Sequence, residues 1–168
     1  RRDFTFNAIY ADYEGNLYDP FNGKKDLELG IVKFIGDPEK RIQEDYLRIL
    51  RYIRFFLNYS KQQHDENLKK IIKQNIIGIS KISSERLLDE LKKIILSEGF
   101  LKISHDKFSQ EILTLIFPQL INLGIFKNIN DYSKDIIIKK DFIFLVSLMI
   151  IDNTDNSDYF IYKFNLSN

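Results

Sequence analysis

The spacing of apolar residues changes once along this chain of 168 residues, at Gly36. Before that point, FTFNAIYAD (residues 4–12) and LGIVKFIG (residues 29–36) show the alternation or the β-branched apolar runs that are typical of strands. After it, apolar residues recur at the three-to-four-residue spacing of amphipathic helices. Because two or three strands cannot enclose a core by themselves, we expect a mainly α fold that begins with the last strands of a larger domain.

The helical part is predicted to begin at Asp37, which can cap a helix that has Pro38 in its first turn. We expect one long amphipathic helix from there, with an apolar face made of Ile42, Tyr46, Ile49, Ile53 and Phe56. Further helices are predicted over residues 64–75, 83–100 with Ser83 as cap, 107–126 with a break at Pro118, and 139–151. Residues 153–160 are predicted as loop, and residues 162–168 as the start of another helix. The apolar run at residues 142–151 has about half the length of a membrane span, so we predict a buried helix and no membrane partner.

The charged residues nearly balance, with 25 Lys and Arg against 24 Asp and Glu. No overall basic field therefore indicates nucleic acid, and any polyanion site must be local. The absence of cysteine excludes disulfides and thiolate chemistry and favours a reducing compartment, so we expect a cytoplasmic protein. His64 and His105 lack metal-ligand spacing and are predicted to be ordinary surface or loop residues. Six of the seven arginines lie in the first 54 residues, which indicates a local need for guanidinium groups.

The predicted helix from Asp37 places charged side chains three or four residues apart on one flank: Glu44, Asp45, Arg48 and Arg51. One interpretation is ordinary ion pairing on a solvated helix, worth about 0.2–0.5 kcal/mol per pair. The other is base recognition, because cytosine and adenine each present an amino donor beside a ring-nitrogen acceptor on the pairing edge. Asp45 would then accept from the amino group and Arg48 would donate to the ring nitrogen, whereas uracil and guanine would be rejected.

Four short motifs follow one another in the first 100 residues: RRDFTFNA (1–8), DPFNGKKDL (19–27), EDYLRILRYIRF (44–55) and ERLLDELKKII (85–95). In order and approximate spacing they resemble the later motifs of the bacterial-type class II tRNA nucleotidyltransferases, the family of CCA-adding enzymes and poly(A) polymerases. The resemblance implies the end of a mixed α/β nucleotidyltransferase head at residues 1–34, a helical neck that recognises the base at 35–100, and part of a helical RNA-binding body at 101–168. It also implies addition of CMP and AMP, from CTP and ATP, to the tRNA 3′ end.

The resemblance gives individual residues expected roles. Arg2 and Asp3 match positions that contact the incoming ribose, and Arg1 and Asn7 lie beside the triphosphate, although an Arg–Asp pair at a strand end is also a common surface salt bridge. The base-recognition motif contains Glu44, Asp45 and Arg48, while Arg51 would either contact the triphosphate or support Asp45. A structural role, supporting the neck and orienting the base-recognition helix, is implied for Glu85 and Arg86, with Arg86–Glu90 and Asp89–Lys93 as helical ion pairs.

Asp19, Pro20 and Gly23 match a flexible junction between head and neck, although DPFNG is also an ordinary turn sequence. The family's Mg²⁺-binding aspartates precede RRDFTFNA, so we expect none here and predict that this stretch alone is inactive. Asp12 and Glu14 alternate as a metal-binding pair would, but they follow the motif and are interpreted as a polar strand end.

Two alternatives to CCA addition stay open: a poly(A) polymerase of the same family, and a non-catalytic helical RNA-binding or scaffold module. Lys139 and Lys140 are interpreted as a solvated face rather than an RNA platform. The sequence leaves the oligomeric state open. We also expect exposed apolar strand edges between Phe4 and Tyr10 to make the isolated chain prone to aggregation.

Overall fold

The computed structural model describes residues 2–137 and 139–166. Within them, one antiparallel pair of strands, β1 (Tyr10–Ala11) and β2 (Leu17–Tyr18), precedes a succession of helices. The helices are α1 (Gly23–Leu29), α2 (Pro38–Glu44), α3 (Arg48–Tyr59), α4 (Glu66–Asn75), α5 (Ser84–Ile95), α6 (Lys107–Ile116), α7 (Asp131–Ile137), α8 (Phe142–Ile150) and α9 (Asn156–Phe164). Short 3₁₀ segments lie at Phe6–Ala8, Ile76–Lys81, Phe100–His105 and Leu123–Phe126. The predicted mainly α fold with a short β segment is confirmed.

The N-terminal strands are shorter than the sequence predicts. Phe4 forms only an isolated bridge to Phe34, and the chain then turns through the 3₁₀ segment. Asn7 Oδ1 accepts from the Phe4 amide at 3.2 Å, and this local bond competes with a sheet ladder. The Phe4 ring instead packs on Phe34 and on Phe55 of α3, with centroids 4.6 and 5.2 Å away, which anchors the segment to the helices.

The single long helix predicted from Asp37 is wrong, because the chain forms α2 and α3 with a corner at residues 45–47. Asp37 does cap α2, accepting from the Lys40 amide at 2.8 Å. At the corner Asp45 is extended, with φ −157° and ψ 104°. Its carboxylate accepts from the Leu47 amide, and its carbonyl accepts from the Arg48 amide, so Asp45 begins a new turn instead of continuing the old helix.

Further along, α5 is capped by Ser83 as predicted but ends at Ile95, and α6 ends before Pro118. The apolar run forms α8, in which Leu145, Val146 and Met149 are buried. The loop predicted at residues 153–160 is wrong, because α9 begins at Asn156 and has ended by Phe164, where a new helix was expected. Phe160 and Phe164 of α9 belong to the same core cluster as Phe4. Burial of these two rings therefore explains why the segment is helical. No helix in the described ranges is long and apolar enough to cross a membrane.

The apolar surface near the N-terminus also differs from expectation. Phe4 is fully buried, and within the predicted edge Phe4–Tyr10 only the last residue, Tyr10, is exposed. The hairpin exposes four large apolar side chains: Tyr10, Tyr13, Leu17 and Tyr18. Aggregation of the isolated chain stays a prediction and now rests on these four residues.

His64 lies in a loop, one of the two places predicted for it, but it is not an ordinary surface residue, since its side chain is only 8% exposed. Nδ1 lies 2.9 Å from the Tyr52 hydroxyl, and Nε2 lies 2.8 Å from Asp106 Oδ2. The ring also stacks on Phe56 of α3 at 3.5 Å between centroids. His64 therefore joins α3 to Asp106, the residue that caps α6, whereas His105 is exposed.

We predict an acid-sensitive contribution of Asp106 to stability. Burial alone would raise the pKa of Asp106, but hydrogen bonds from His64 and Ser109 outweigh it and lower the pKa. A carboxyl whose pKa is lowered by folding stabilises the protein above its unfolded pKa of about 3.9 and loses that contribution as the pH falls through the folded value. Asp106→Asn, which keeps the helix cap, should cost about 1–2 kcal/mol at pH 6 and less below about pH 4. Urea unfolding across this range tests it; a difference independent of pH would contradict it.

Candidate functional site

A buried carboxylate, Asp3, lies at the centre of a group of arginines. Its Oδ1 accepts from Arg48 Nε at 2.7 Å and from Arg41 Nη2 at 3.2 Å, and its Oδ2 lies 2.7 Å from Arg51 Nη1. The Asp3 side chain is only 2% exposed. The backbone holds it there, because the Ile35 amide donates to the Asp3 carbonyl beside the Phe4–Phe34 bridge.

Glu44 completes what we term the Asp3 cluster: Asp3, Arg41, Glu44, Arg48 and Arg51. Glu44 Oε2 accepts from Arg48 Nη1 at 2.8 Å and also pairs with Arg41. Three guanidinium groups therefore face two carboxylates, which leaves the cluster with a net charge of +1. Burial alone would lower the pKa of Arg48, but hydrogen bonds to Glu44 and Asp3 outweigh it and raise the pKa, so this guanidinium stays charged. The arrangement suits an anionic or polar ligand.

Asp45, on the corner before α3, is held by a different element. Its Oδ2 accepts from Arg86 Nη2 of α5 at 2.8 Å. The helical ion pair predicted between Arg86 and Glu90 is therefore wrong, and Glu90 pairs with Arg54 instead, at 2.6 Å. Asp45 and Arg48 lie three residues apart in the chain. Asp45 is held by Arg86, and Arg48 is held by Asp3 and Glu44.

Two further expectations concern ion pairs near this corner. The predicted pair of Asp89 with Lys93 is confirmed at 2.6 Å. Arg51 was expected either to contact a triphosphate or to support Asp45. In the structure Arg51 lies on Asp3, and the side chain supporting Asp45 is Arg86.

Three further residues were predicted to contact the nucleotide: Arg1, Arg2 and Asn7. Arg1 lies outside the described residues. Arg2 is exposed, and its carbonyl accepts from Arg41 Nη2 at 3.0 Å. Arg2 and Arg41 also line a cavity of about 310 Å³ together with Tyr10 and Phe21. The side-chain oxygen of Asn7 accepts a hydrogen bond from the Phe4 amide.

Sequence reasoning missed Arg41, whose side chain is 7% exposed and joins both carboxylates of the cluster. Its only sequence signals are the concentration of arginines before residue 55 and its three-residue spacing from Glu44. Its contact with Asp3 spans 38 residues and has no local signature.

The DPFNG segment is a turn with an anchored end. Asp19 accepts from the first two amides of α1, those of Gly23 at 2.7 Å and Lys24 at 2.9 Å. These hydrogen bonds, that from Lys24 foremost, lower the pKa of Asp19. The positive φ of the turn falls on Asn22, at 57°. Gly23 is needed for close approach, because a Cβ there would lie 2.2 Å from the Thr5 carbonyl oxygen.

The described residues do not fit a magnesium site. Asp12 accepts from the Asn16 side chain and from the Glu14 and Asn16 amides, so its carboxylate holds the hairpin turn. In residues 2–137 and 139–166 no group of three His, Cys, Asp or Glu side chains could hold a metal ion.

Two protein families match separate parts of the chain. The family described as "Poly A polymerase head domain" matches residues 1–33, and the family described as "Probable RNA and SrmB-binding site of polymerase A" matches residues 64–123. Among curated proteins, the chain is 37% identical over 140 residues to the mitochondrial CCA tRNA nucleotidyltransferase 1 of Homo sapiens, covering 79% of this chain and 32% of that protein. It is 44% identical over 94 residues to the CCA-adding enzyme of Lactobacillus helveticus, covering 56% of this chain and 23% of that protein.

Solved structures give the same fold. A Thermotoga maritima CCA-adding enzyme complexed with tRNA matches with a TM-score of 0.69 at 22% identity, over 99% of this chain and 43% of that one. A CCA-adding enzyme in complex with CTP matches with a TM-score of 0.70 at 23% identity, over 100% of this chain and 43% of that one. Fold and matches together place the chain among proteins that share this polymerase-type fold. The chain belongs to the family of CCA tRNA nucleotidyltransferases and poly(A) polymerases, and it spans about a third of the length of the human relative.

Proposed function

We propose that the full-length protein carrying this chain adds CMP and AMP, from CTP and ATP, to the 3′ end of tRNA, and that this chain contributes the site that chooses the base. The observation that carries the proposal is the corner between α2 and α3. There a carboxylate, Asp45, and a guanidinium, Arg48, stand three residues apart, and each is held by a separate ion pair. Side chains held in this way can act as a fixed template.

The chemistry of the pair supports cytosine and adenine as its ligands. Arg48 uses Nε and Nη1 within the described residues, which leaves Nη2 to donate to a ring nitrogen. Asp45 accepts from Arg86 and the Leu47 amide, and a carboxylate has further lone pairs for an amino group. Uracil or guanine would place a carbonyl acceptor against the Asp45 carboxylate and an N–H donor against Arg48, so both hydrogen bonds would be lost and like groups would face each other, at a cost of about 1–3 kcal/mol for each group.

The remaining nucleotide contacts are proposed from the resemblance and from exposure. Arg51 is 35% exposed, more than Arg41 or Arg48, so it is the cluster arginine best placed to contact a triphosphate. Arg1, Arg2 and Asn7 would act in the same region. Asp3 is 2% exposed, so it would reach a ribose hydroxyl only if the cluster opened.

The wider architecture is proposed on the same basis. Residues 1–34 would end the head, 35–100 form the neck and 101–168 contribute to the RNA-binding body. The Mg²⁺ ions of phosphoryl transfer would be held by carboxylates outside this chain, because Asp12 is engaged in its turn. This stretch alone would then be inactive. Cytoplasmic localisation stays a prediction.

The proposal is tested by incubating the full-length protein with tRNA that lacks its terminal CCA and with labelled CTP and ATP. Addition of two C residues and one A, followed by a stop, is the expected result. Long tracts of A without a CTP requirement would identify a poly(A) polymerase instead. Binding of tRNA with no incorporation would favour the non-catalytic module.

The hinge hypothesis yields a separate prediction for the full-length protein. Gly23→Pro is unsuitable, since it removes the amide that Asp19 binds and adds atoms against Thr5. Asp19→Ala releases the start of α1 and should lower the fraction of products that proceed from CC to CCA by about threefold or more, if the junction sets the switch from C to A. The control is Asp12→Ala, which removes an exposed aspartate that also holds a turn. Unchanged product lengths in Asp19→Ala would contradict the hinge hypothesis.

A further inference from the structure

Arg41 lies on α2, three residues before Glu44, and its buried side chain contacts the segment that carries Asp3. Its Nη2 donates to the Arg2 carbonyl at 3.0 Å and to Asp3 Oδ1 at 3.2 Å, while Nη1 pairs with Glu44. These two carboxylates are also the partners of Arg48, at 2.7 and 2.8 Å. One guanidinium therefore connects both groups that fix the proposed base-recognition arginine.

We propose that Arg41 is a positioning residue that sets the orientation of Arg48 through Asp3 and Glu44, and through them the choice of base and sugar. The inference rests on the proposed function and deepens it. The planar fork of arginine suits this role, because two nitrogens reach in different directions from one rigid group. Both terminal nitrogens of Arg41 are engaged by the Arg2 carbonyl, Asp3 and Glu44, so we assign the side chain no contact with the nucleotide, although it borders the cavity beside Arg2.

The charge balance indicates that the remaining ion pairs of the Asp3 cluster are kept when Arg41 is removed. With three guanidiniums and two carboxylates present, removing Arg41 leaves Asp3 paired with Arg48 and Arg51. Arg41 Nε is buried without a hydrogen-bond partner among the described residues, so its loss leaves fewer unsatisfied donors. What disappears is the connection between Asp3, Glu44 and the Arg2 carbonyl, and the expected consequence is a less well oriented Arg48.

The chain offers a matched control in Arg54, which lies on α3 beyond Arg51. Arg54 Nε pairs with Glu90 at 2.6 Å, and the two side chains are 19% and 4% exposed. Arg54→Ala therefore breaks a buried ion pair of the same neck without touching the Asp3 cluster. If Arg41 had only a structural role, Arg41→Ala and Arg54→Ala would show the same nucleotide preference.

The experiment compares full-length wild type, Arg41→Ala and Arg54→Ala by kcat/KM for each nucleoside triphosphate and for dCTP, on tRNA lacking its 3′ end. In Arg41→Ala the preference for CTP over UTP and over dCTP should fall by at least about tenfold, with Arg54→Ala at the wild-type preference. Arg41→Lys, which keeps the charge but not the fork, should give an intermediate preference, and it serves as the test if Arg41→Ala does not fold.

Wild-type preference in Arg41→Ala, or an equal fall in Arg54→Ala, would overturn the inference. Wild-type preference in Arg41→Lys would do the same if that is the variant that folds. Failure of the wild-type protein to add C and A would instead overturn the proposed function. The two failures are therefore distinguishable.

Discussion

Asp3→Ala is expected to lower the free energy of unfolding by about 3–5 kcal/mol, the range for removing one partner of a buried ion pair. Asp3 is the most buried carboxylate of its cluster and contacts Arg41, Arg48 and Arg51. Without it three guanidiniums would face Glu44 alone, whose side chain is 45% exposed. Urea unfolding of the full-length protein, followed by circular dichroism, measures the loss.

The control for this prediction is Asp89→Ala. Asp89 pairs with Lys93 at 2.6 Å, but the two side chains are 65% and 52% exposed, so we expect a change below about 1 kcal/mol. Asp3→Asn should fall between the two, because it keeps the shape and loses the charge. Similar stabilities for Asp3→Ala and Asp89→Ala would contradict the view that the Asp3 cluster organises the N-terminal segment.

The second large effect is expected for Arg48→Lys in the proposed reaction. Lysine keeps the positive charge, but it cannot contact Asp3, Glu44 and a base with separate nitrogens of one plane. We expect kcat/KM for CTP and ATP to fall at least about 100-fold, since one ammonium group cannot hold Asp3 and Glu44 and also donate to the ring nitrogen of the base. Steady-state incorporation of labelled CMP and AMP into tRNA measures it.

Arg54→Lys is the matched control, being the same substitution on the same helix at a buried ion pair outside the cluster. Its incorporation rates should stay within about threefold of wild type, in line with the small effects of changes away from a site. Wild-type rates in Arg48→Lys would contradict a role for the guanidinium fork in choosing the base.

Features set by nearby residues were predictable from sequence. Asp37 and Ser83 cap helices as predicted, and α6 ends before Pro118, because caps and proline act within a few residues. The mainly α fold follows from the helical spacing of apolar residues. The candidate site was predictable in part, since the motif at residues 44–55 contains Glu44, Asp45, Arg48 and Arg51.

Features set by distant partners were missed. The ion pair that holds the Asp45 carboxylate is made by Arg86, 41 residues further along, and the place of Arg41 depends on Asp3, 38 residues earlier. His64 looked ordinary because Tyr52 and Asp106 lie far from it in sequence. Helix α9 has a polar start, and its formation depends on burying Phe160 and Phe164 against the core. Apolar spacing and local motifs carry no information on such pairings.

The most direct test of the central claim, that side chains at the corner before α3 choose the base, compares full-length wild type with Asp45→Ala. Each labelled nucleoside triphosphate is offered in turn with tRNA lacking its 3′ end. Wild type should add C and then A and reject U and G. In Asp45→Ala this discrimination should be lost, or activity should vanish. An Asp45→Ala protein that remains active with the wild-type preference for C and A would contradict the account.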